Sequence, residues 1–344
     1  MTDDADILFE QRGALGLVTL NRPQRLNTLT HAMCVRLHAQ LDLWETDPRI
    51  ATIAIQGAGD KAFCAGGDLR ALYNAALSDP ALAAQYWRDE YLLNIRIRHY
   101  PKPFVALLKG FVMGGGAGVS VHGSHCVVDE TVRFAMPETA IGLFVDVGGS
   151  YFLPRLRGKL GLYLALTGTR LGAADCLFAQ LARAFVPAAG RPELIARLST
   201  GLAPQKAIAE LAGALPAAPL GAIADQIDAA FSAPGVEEIG ARLRAGADAW
   251  SRAAYSAFCL KSPTSQKIAF RQLALGGELG FSDCMRMEYR ICQRILLGHD
   301  FYEGVRATIF AKELPPCWQP SRLEEVRDED VVAYFAPVTN ELLP

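Results

Sequence analysis

Two carboxylates and two glycine-rich turns are the residues of this chain best suited to chemistry. Glu138 and Asp146 lie eight positions apart in FAMPETAIGLFVDVGGSYFL, among apolar residues and glycine. Two nearby carboxylates in an apolar pocket tend to separate their proton affinities, giving one acid and one base. Upstream, KGFVMGGGAGVSVHG carries the consecutive glycines Gly114, Gly115 and Gly116 after an apolar run at 104–108. CAGGDLR (64–70) is a second glycine entry into a helical pattern. Glycine has no Cβ, so its backbone N–H can approach a ligand closely. N–H groups at a helix start favour negative charge. Each turn can therefore offer one N–H to a developing oxyanion, and the carboxylates supply the acid–base half of such a site.

The elements that must position these groups follow from periodicity. Two strand-like runs, 7–10 and 14–20, flank Gln11, Arg12 and Gly13 as a hairpin, and NRP (21–23) ends the second. Thr28 or Thr30 can cap a helix whose apolar face is Met33, Leu37, Leu41 and Trp44. A strand at 51–56 and the turn GAGD lead into the 64–70 stretch, whose helix continues through Leu69 and Leu72. Residues 79–97 read as a helix with Trp87, Tyr91, Leu92 and Ile95 apolar, and periodicity alone places Glu90 on a solvated face. A buried strand at 104–108, the glycine-opened helix, strands near 126–128 and 132–135, and a helix at 159–167 follow. Residues 173–257 are alanine-rich and helical in character, interrupted by prolines, and 323–335 reads as a last short helix. Alternating strands and helices argue for an α/β layered domain, and the pattern alone leaves a doubly wound sheet open.

Composition narrows the function classes. The 344 residues, 51% of them hydrophobic, can bury a sizeable core in one large domain or two. With 34 basic against 36 acidic residues, a formal net charge of −2 gives no general pull toward nucleic acid or an anionic membrane, and a local basic patch for a phosphorylated ligand stays open. The apolar stretch 104–121 is interrupted by Lys109 and glycines and reads as strand, turn and helix rather than a membrane span. Eight cysteines contain no CxxC pair, so reduced thiols are expected. The acidic start MTDDADILFE lacks the features of a secretory signal or an Arg-rich transit peptide, from which a cytoplasmic location is expected. His122 and His125 have HxxH spacing without a third ligand cluster, and no metal is expected there. Neither GxGxxG nor GxxxxGK[ST] occurs at the glycine cluster, which removes support for a nucleotide fold.

KGFVMGGGAGVSVHG and FAMPETAIGLFVDVGGSYFLPRLRG together resemble the crotonase superfamily of acyl-CoA enzymes, most of all its 3-hydroxyisobutyryl-CoA hydrolase branch. The likeness extends from Ile7 through CAGGDLR, LTGTRL (166–171) and SPTS (262–265) to GHDFYEGVRA (298–307). It implies an α/β, crotonase-like spiral of ββα units over residues 1–190. A helical C-terminal region, 191–344, packs on that core and covers the acyl pocket. It implies hydrolysis of the thioester to 3-hydroxyisobutyrate and CoA, as in valine degradation. Gly67 and Gly115 would supply the oxyanion N–H groups, Glu138 and Asp146 the catalysis, and Glu90, Gly115, Glu138 and Asp146 the substrate contacts. No cofactor is implied, since coenzyme A belongs to the substrate, and trimers or their multiples are common in the superfamily. Crotonase-type hydratases place a second glutamate two residues after the glycine trio, where this chain has Gly118. Val145 replaces the proline common before the aspartate in the hydrolase branch. An enoyl-CoA hydratase or isomerase of the same fold and a non-catalytic acyl-CoA-binding protein are the alternatives.

Overall fold

The computed structural model describes residues 5–342; the first four residues of the acidic start lie outside it. Strands β1 (Ile7–Arg12) and β2 (Leu15–Leu20) form the expected hairpin around Gly13, whose φ of +57° suits a residue without Cβ. Helix α1 (His31–Thr46) begins where Thr30 accepts a hydrogen bond from the Met33 N–H at 3.2 Å. Its buried face carries Met33, Cys34, Leu37, Leu41 and Trp44. Then come β3 (Thr52–Gly57), β4 (Ala62–Cys64), α2 (Leu69–Ser78) and α3 (Pro80–Arg98). The next turn of chain is β5 (Phe104–Leu108), β6 (Phe111–Met113) and α4 (Gly115–Gly118). After β7 (His125–Val128) and β8 (Arg133–Ala135) come α5 (Gly149–Phe152), α6 (Leu160–Thr167) and α7 (Ala173–Phe178). Strand β9 (Ala184–Phe185) precedes α8 (Arg191–Ser199) and α9 (Pro204–Ala209). The remaining helices are α10 (Ala224–Phe231), α11 (Val236–Ala245), α12 (Ala249–Cys259), α13 (Pro263–Gly276), α14 (Phe281–Ile295), α15 (Asp300–Val305) and α16 (Asp328–Ala333).

Two compact units are interleaved along the sequence, whereas the expected division falls at residue 190. The first runs up to Asp68 and adds Leu92–Phe134 and Leu171–Gly221. Its larger sheet has the order β1-β2-β3-β5-β7-β9, antiparallel at β1–β2 and parallel elsewhere. The smaller sheet has the order β4-β6-β8. Successive ββα turns thus give one strand to each sheet, which is the repetition the sequence resemblance implies. Leu15, Leu17, Ala54, Val105, Leu107 and Val127 of the larger sheet pack against Leu194, Ile195 and Leu198 of α8. Apolar runs on these strands are what a two-sided parallel sheet requires. Sequence reading missed β9, two residues inside an alanine-rich stretch. The prolines there open helices rather than break them: Pro192 and Pro204 sit in the first turns of α8 and α9.

The second unit takes Leu69–Tyr91, Ala135–Arg170 and the chain from Ala222 onward. SPTS is a helix start: Ser262 accepts the Ser265 N–H at 3.1 Å, with Pro263 opening α13. Helix α14 is amphipathic, burying Cys284, Met285, Glu288, Ile291 and Cys292. The last expected helix is split into a 3-10 turn, Leu323–Glu325, and α16. Asp328, Glu329 and Asp330 in the first turn of α16 favour a new helix start there. No helix among the described residues is long and apolar enough to cross a membrane.

Candidate active site

In the first unit the two glycine turns leave neighbouring strands at the same end. Strands β4 and β6 run parallel, pairing Ala62 with Phe111 and Cys64 with Val112. The chain past Cys64 bridges Leu29: the Leu29 N–H donates to the Gly66 carbonyl at 2.9 Å, and the Asp68 N–H to the Leu29 carbonyl at 2.7 Å. These two bonds use Gly66 and Asp68, so the Gly67 N–H stays outside the bridge. Gly115 opens α4, and the first N–H groups of a helix have no partner within it. Gly114 takes φ +48° as the preceding residue, and a Cβ on Gly116 would lie 2.3 Å from the Cys64 carbonyl. The glycines therefore permit both a turn and a close strand–helix approach. The glycine-opened helix is shorter than its apolar continuation suggests, because glycine is a poor helix former.

In the second unit Glu90, Glu138 and Asp146 are all brought inside, exposed by 3%, 4% and 5%. Glu138 is the first residue of a 3-10 turn, Glu138–Ile141, after Pro137. Its Oε2 is buried without a hydrogen-bond partner among the described residues. Burial raises its proton affinity well above the usual carboxylate range, the Asp146 charge adds to the rise, and the Lys261 ammonium opposes it. Burial raises Asp146 to about 7, against a stabilising bond from the Tyr91 hydroxyl to Asp146 Oδ2 at 3.2 Å. Glu90 is likewise raised by burial and by the Asp146 charge, and its Oε1 has no partner among the described residues. Periodicity placed Glu90 on a solvated face; the correction follows from α3 itself, on which Trp87, Glu90 and Tyr91 are buried together. A cluster of this kind is costly to bury, and its raised proton affinities mark it as a candidate for proton transfer.

Several side chains that hold this region were not singled out in the sequence. Tyr91 was read only as an apolar position. Gln272, on α13, donates Nε2 to the Val145 carbonyl at 2.7 Å, and Glu288, on α14, accepts from the Gly148 N–H at 2.8 Å. A usable signal existed: Cys284, Glu288 and Cys292 share one helical stripe, which puts a carboxylate at a core position of α14. His122 and His125 do not share a helix face, since α4 ends at Gly118 and His125 opens β7. Among the described residues, no group of three or more His, Cys, Asp or Glu is placed to hold a metal ion.

A family model described as Enoyl-CoA hydratase/isomerase matches residues 15–335. A Xenopus tropicalis protein named "3-hydroxyisobutyryl-CoA hydrolase, mitochondrial" is 44% identical, covering 98% of this chain and 90% of that one. The Homo sapiens protein of that name is 43% identical, covering 97% and 89%. A structure titled as a carnitinyl-CoA dehydratase from Mycobacterium thermoresistibile superposes with TM-score 0.95 at 39% identity, covering 99% of each chain. One titled as an enoyl-CoA hydratase from Rhodobacter sphaeroides 2.4.1 gives 0.92 at 39% identity, covering 97% and 98%. The expected cytoplasmic location is overturned, because the named relatives are mitochondrial proteins. That expectation rested on the composition of ten residues, which does not fix a compartment. The mixed α/β fold with its ββα repetition, the full-length match and the close superpositions agree, and the chain belongs to the enoyl-CoA hydratase/isomerase family.

Proposed function

We propose that this chain hydrolyses 3-hydroxyisobutyryl-CoA to 3-hydroxyisobutyrate and CoA. The observation that carries the proposal is the near full-length likeness, at 43–45% identity, to proteins named for that hydrolysis. The buried pair Glu138 and Asp146 supports it chemically. Gly67 and Gly115 N–H groups would polarise the thioester carbonyl as it becomes tetrahedral, a contribution on the order of 10²–10³ in rate per donor. Glu138 would take a proton from water as its oxygen bonds to the carbonyl carbon, or attack that carbon itself to form an anhydride that water then opens. As the C–S bond breaks, the electron pair stays on sulfur and the CoA thiolate accepts a proton from the carboxylate pair. Asp146 would orient Glu138 and accept the substrate's 3-hydroxyl, with Glu90 as a further substrate contact. This chemistry requires neither metal nor redox cofactor.

The superposed structures titled as a hydratase and a dehydratase favour a second reading, addition of water across a carbon–carbon double bond. Hydration needs two carboxylates around one water and the alkene, and Gly118 occupies the position of the second glutamate in crotonase-type hydratases. Thiol release from 3-hydroxyisobutyryl-CoA, measured beside loss of the crotonyl-CoA double bond, tests the choice. Hydrolysis with negligible hydration is expected. Hydration without thiol release would overturn the proposal, and binding without either reaction would leave an acyl-CoA-binding protein.

A further inference from the structure

Immediately after Asp146 the backbone turns left-handed twice. Val147 has φ +51° and Gly148 φ +87°. Glycine takes that conformation freely; a β-branched valine does not, because its Cβ crowds the backbone. The local bond from the Gly149 N–H to the Asp146 carbonyl, 2.9 Å, closes the turn but does not attach it to anything else. The attachment comes from Glu288, fully buried at the middle of α14. Its Oε2 accepts from the Gly148 N–H at 2.8 Å; its Oε1 accepts from the Ser150 N–H at 2.9 Å and from the Ser150 hydroxyl. On the other side of Asp146, Gln272 of α13 holds the Val145 carbonyl. The Asp146 segment is thus held on both flanks by side chains from two long helices.

We infer that Glu288 is a positioning residue: its carboxylate holds the left-handed turn at Val147 and Gly148 and so fixes where Asp146 presents its own carboxylate. The inference rests on the proposed hydrolysis, in which Asp146 takes part. Glu288 meets three donors, two backbone N–H groups and one hydroxyl. Only a group that accepts through both oxygens satisfies them all. Burial opposes ionisation and raises Glu288 to about 8, while these three bonds pull the other way. A glutamine in its place must turn its NH₂ toward either Gly148 or Ser150, where donor faces donor. The turn then loses a partner, Val147 can relax toward negative φ, and the Asp146 backbone moves with it. Displacement of a positioned group by about 1 Å costs on the order of 10²-fold in turnover.

The test is steady-state thiol release from 3-hydroxyisobutyryl-CoA by wild type, Glu288→Gln, Glu288→Gln with Val147→Gly, and Ser150→Ala, with thermal melts to establish folding. Glu288→Gln should lower kcat roughly 10²-fold with KM within about threefold, because binding is kept and geometry is lost. Val147→Gly in that background should recover part of kcat, since glycine adopts the turn without being held. Ser150→Ala, assayed above about pH 8 where Glu288 is ionised, should lower kcat roughly tenfold, as expected for one hydrogen bond to a charged group. A folded Glu288→Gln enzyme with kcat near wild type, or with only KM raised, overturns the positioning role. So does a kcat loss that Val147→Gly leaves untouched. If Glu288→Gln does not fold, Ser150→Ala decides, and unchanged kcat there overturns the role. A wild type that releases no thiol would instead reject the hydrolysis and take the positioning role with it.

Discussion

Tyr91→Phe isolates the electrostatics of Asp146. The substitution removes one oxygen from a fully buried ring, leaves the packing in place, and deprives Asp146 Oδ2 of its 3.2 Å donor. A hydrogen bond to a charged group is worth about 1.5–3 kcal/mol, and this one is long, so the lower end applies. At 1.36 kcal/mol per pKa unit, losing roughly 1.5 kcal/mol raises Asp146 by about one unit, from about 7 toward about 8. The carboxylates titrate as a coupled group, and the acid limb of kcat/KM reports their first ionisation in the free enzyme. For wild type that limb should therefore lie near pH 7 rather than in the ordinary carboxylate range. In Tyr91→Phe it should move up by about one unit, leaving roughly a fifth of wild-type kcat/KM at pH 7 and nearly all of it above pH 9. The assay is thiol release across pH 5.5–10 at limiting substrate, each bound being an approximate working range. An acid limb that stays put would refute the account of Asp146. A uniform loss at every pH would assign Tyr91 to positioning instead.

Glu138→Gln should lower turnover by roughly 10²–10⁴-fold while acyl-CoA binding, measured by calorimetry, is kept; more than about a tenth of wild-type turnover would contradict its role. The same variant should gain thermal stability relative to wild type as pH rises. Glu138 is raised in the fold, so its stabilising proton is present at low pH and lost as pH climbs, and an amide has none to lose. Melting curves with a pH-independent difference would reject that. Asp146→Asn should depress kcat/KM more on 3-hydroxyisobutyryl-CoA than on isobutyryl-CoA, because a site built to bond a hydroxyl discriminates against its absence. An unchanged ratio would leave Asp146 to general chemistry alone. Exhaustive chelation should leave activity intact, and a loss restored only by a divalent ion would refute metal-free hydrolysis.

What was legible in the sequence follows from the range of the interactions involved. Thr30 as a cap, the hairpin around Gly13, and the strand–glycine–helix order at 104–118 depend on neighbours a few residues away, and periodicity finds them. The burial of Glu90 does not: its position on α3 reads as solvated until its surroundings are assembled. Gln272 and Glu288 act on a segment 127 and 138–140 positions earlier in the chain. Nothing in their own windows names that partner; only their placement on apolar helix stripes marks them as unusual. The two-residue strand β9 is too short for any period to register, and it forms because β7 offers Val127 and Val128 as partners.

The state of each buried carboxylate oxygen separates structural roles from chemical ones. Glu288 accepts three hydrogen bonds from one short stretch of backbone and its serine, as a residue that holds a turn should. Asp146 accepts one side-chain hydrogen bond, from Tyr91, beside a bond to its own backbone. Glu138 Oε2 and Glu90 Oε1 are buried with no partner among the described residues. An unsatisfied buried polar atom costs about 1–3 kcal/mol, and selection for stability alone would exchange it for an apolar atom of similar size. Two such atoms beside Asp146 are therefore better explained by a partner that arrives with substrate: a water proton or carbonyl carbon at Glu138, and a polar group of the acyl-CoA at Glu90. Glu288 has both oxygens engaged in holding the turn, whereas Glu138 and Glu90 each keep one buried oxygen open for substrate.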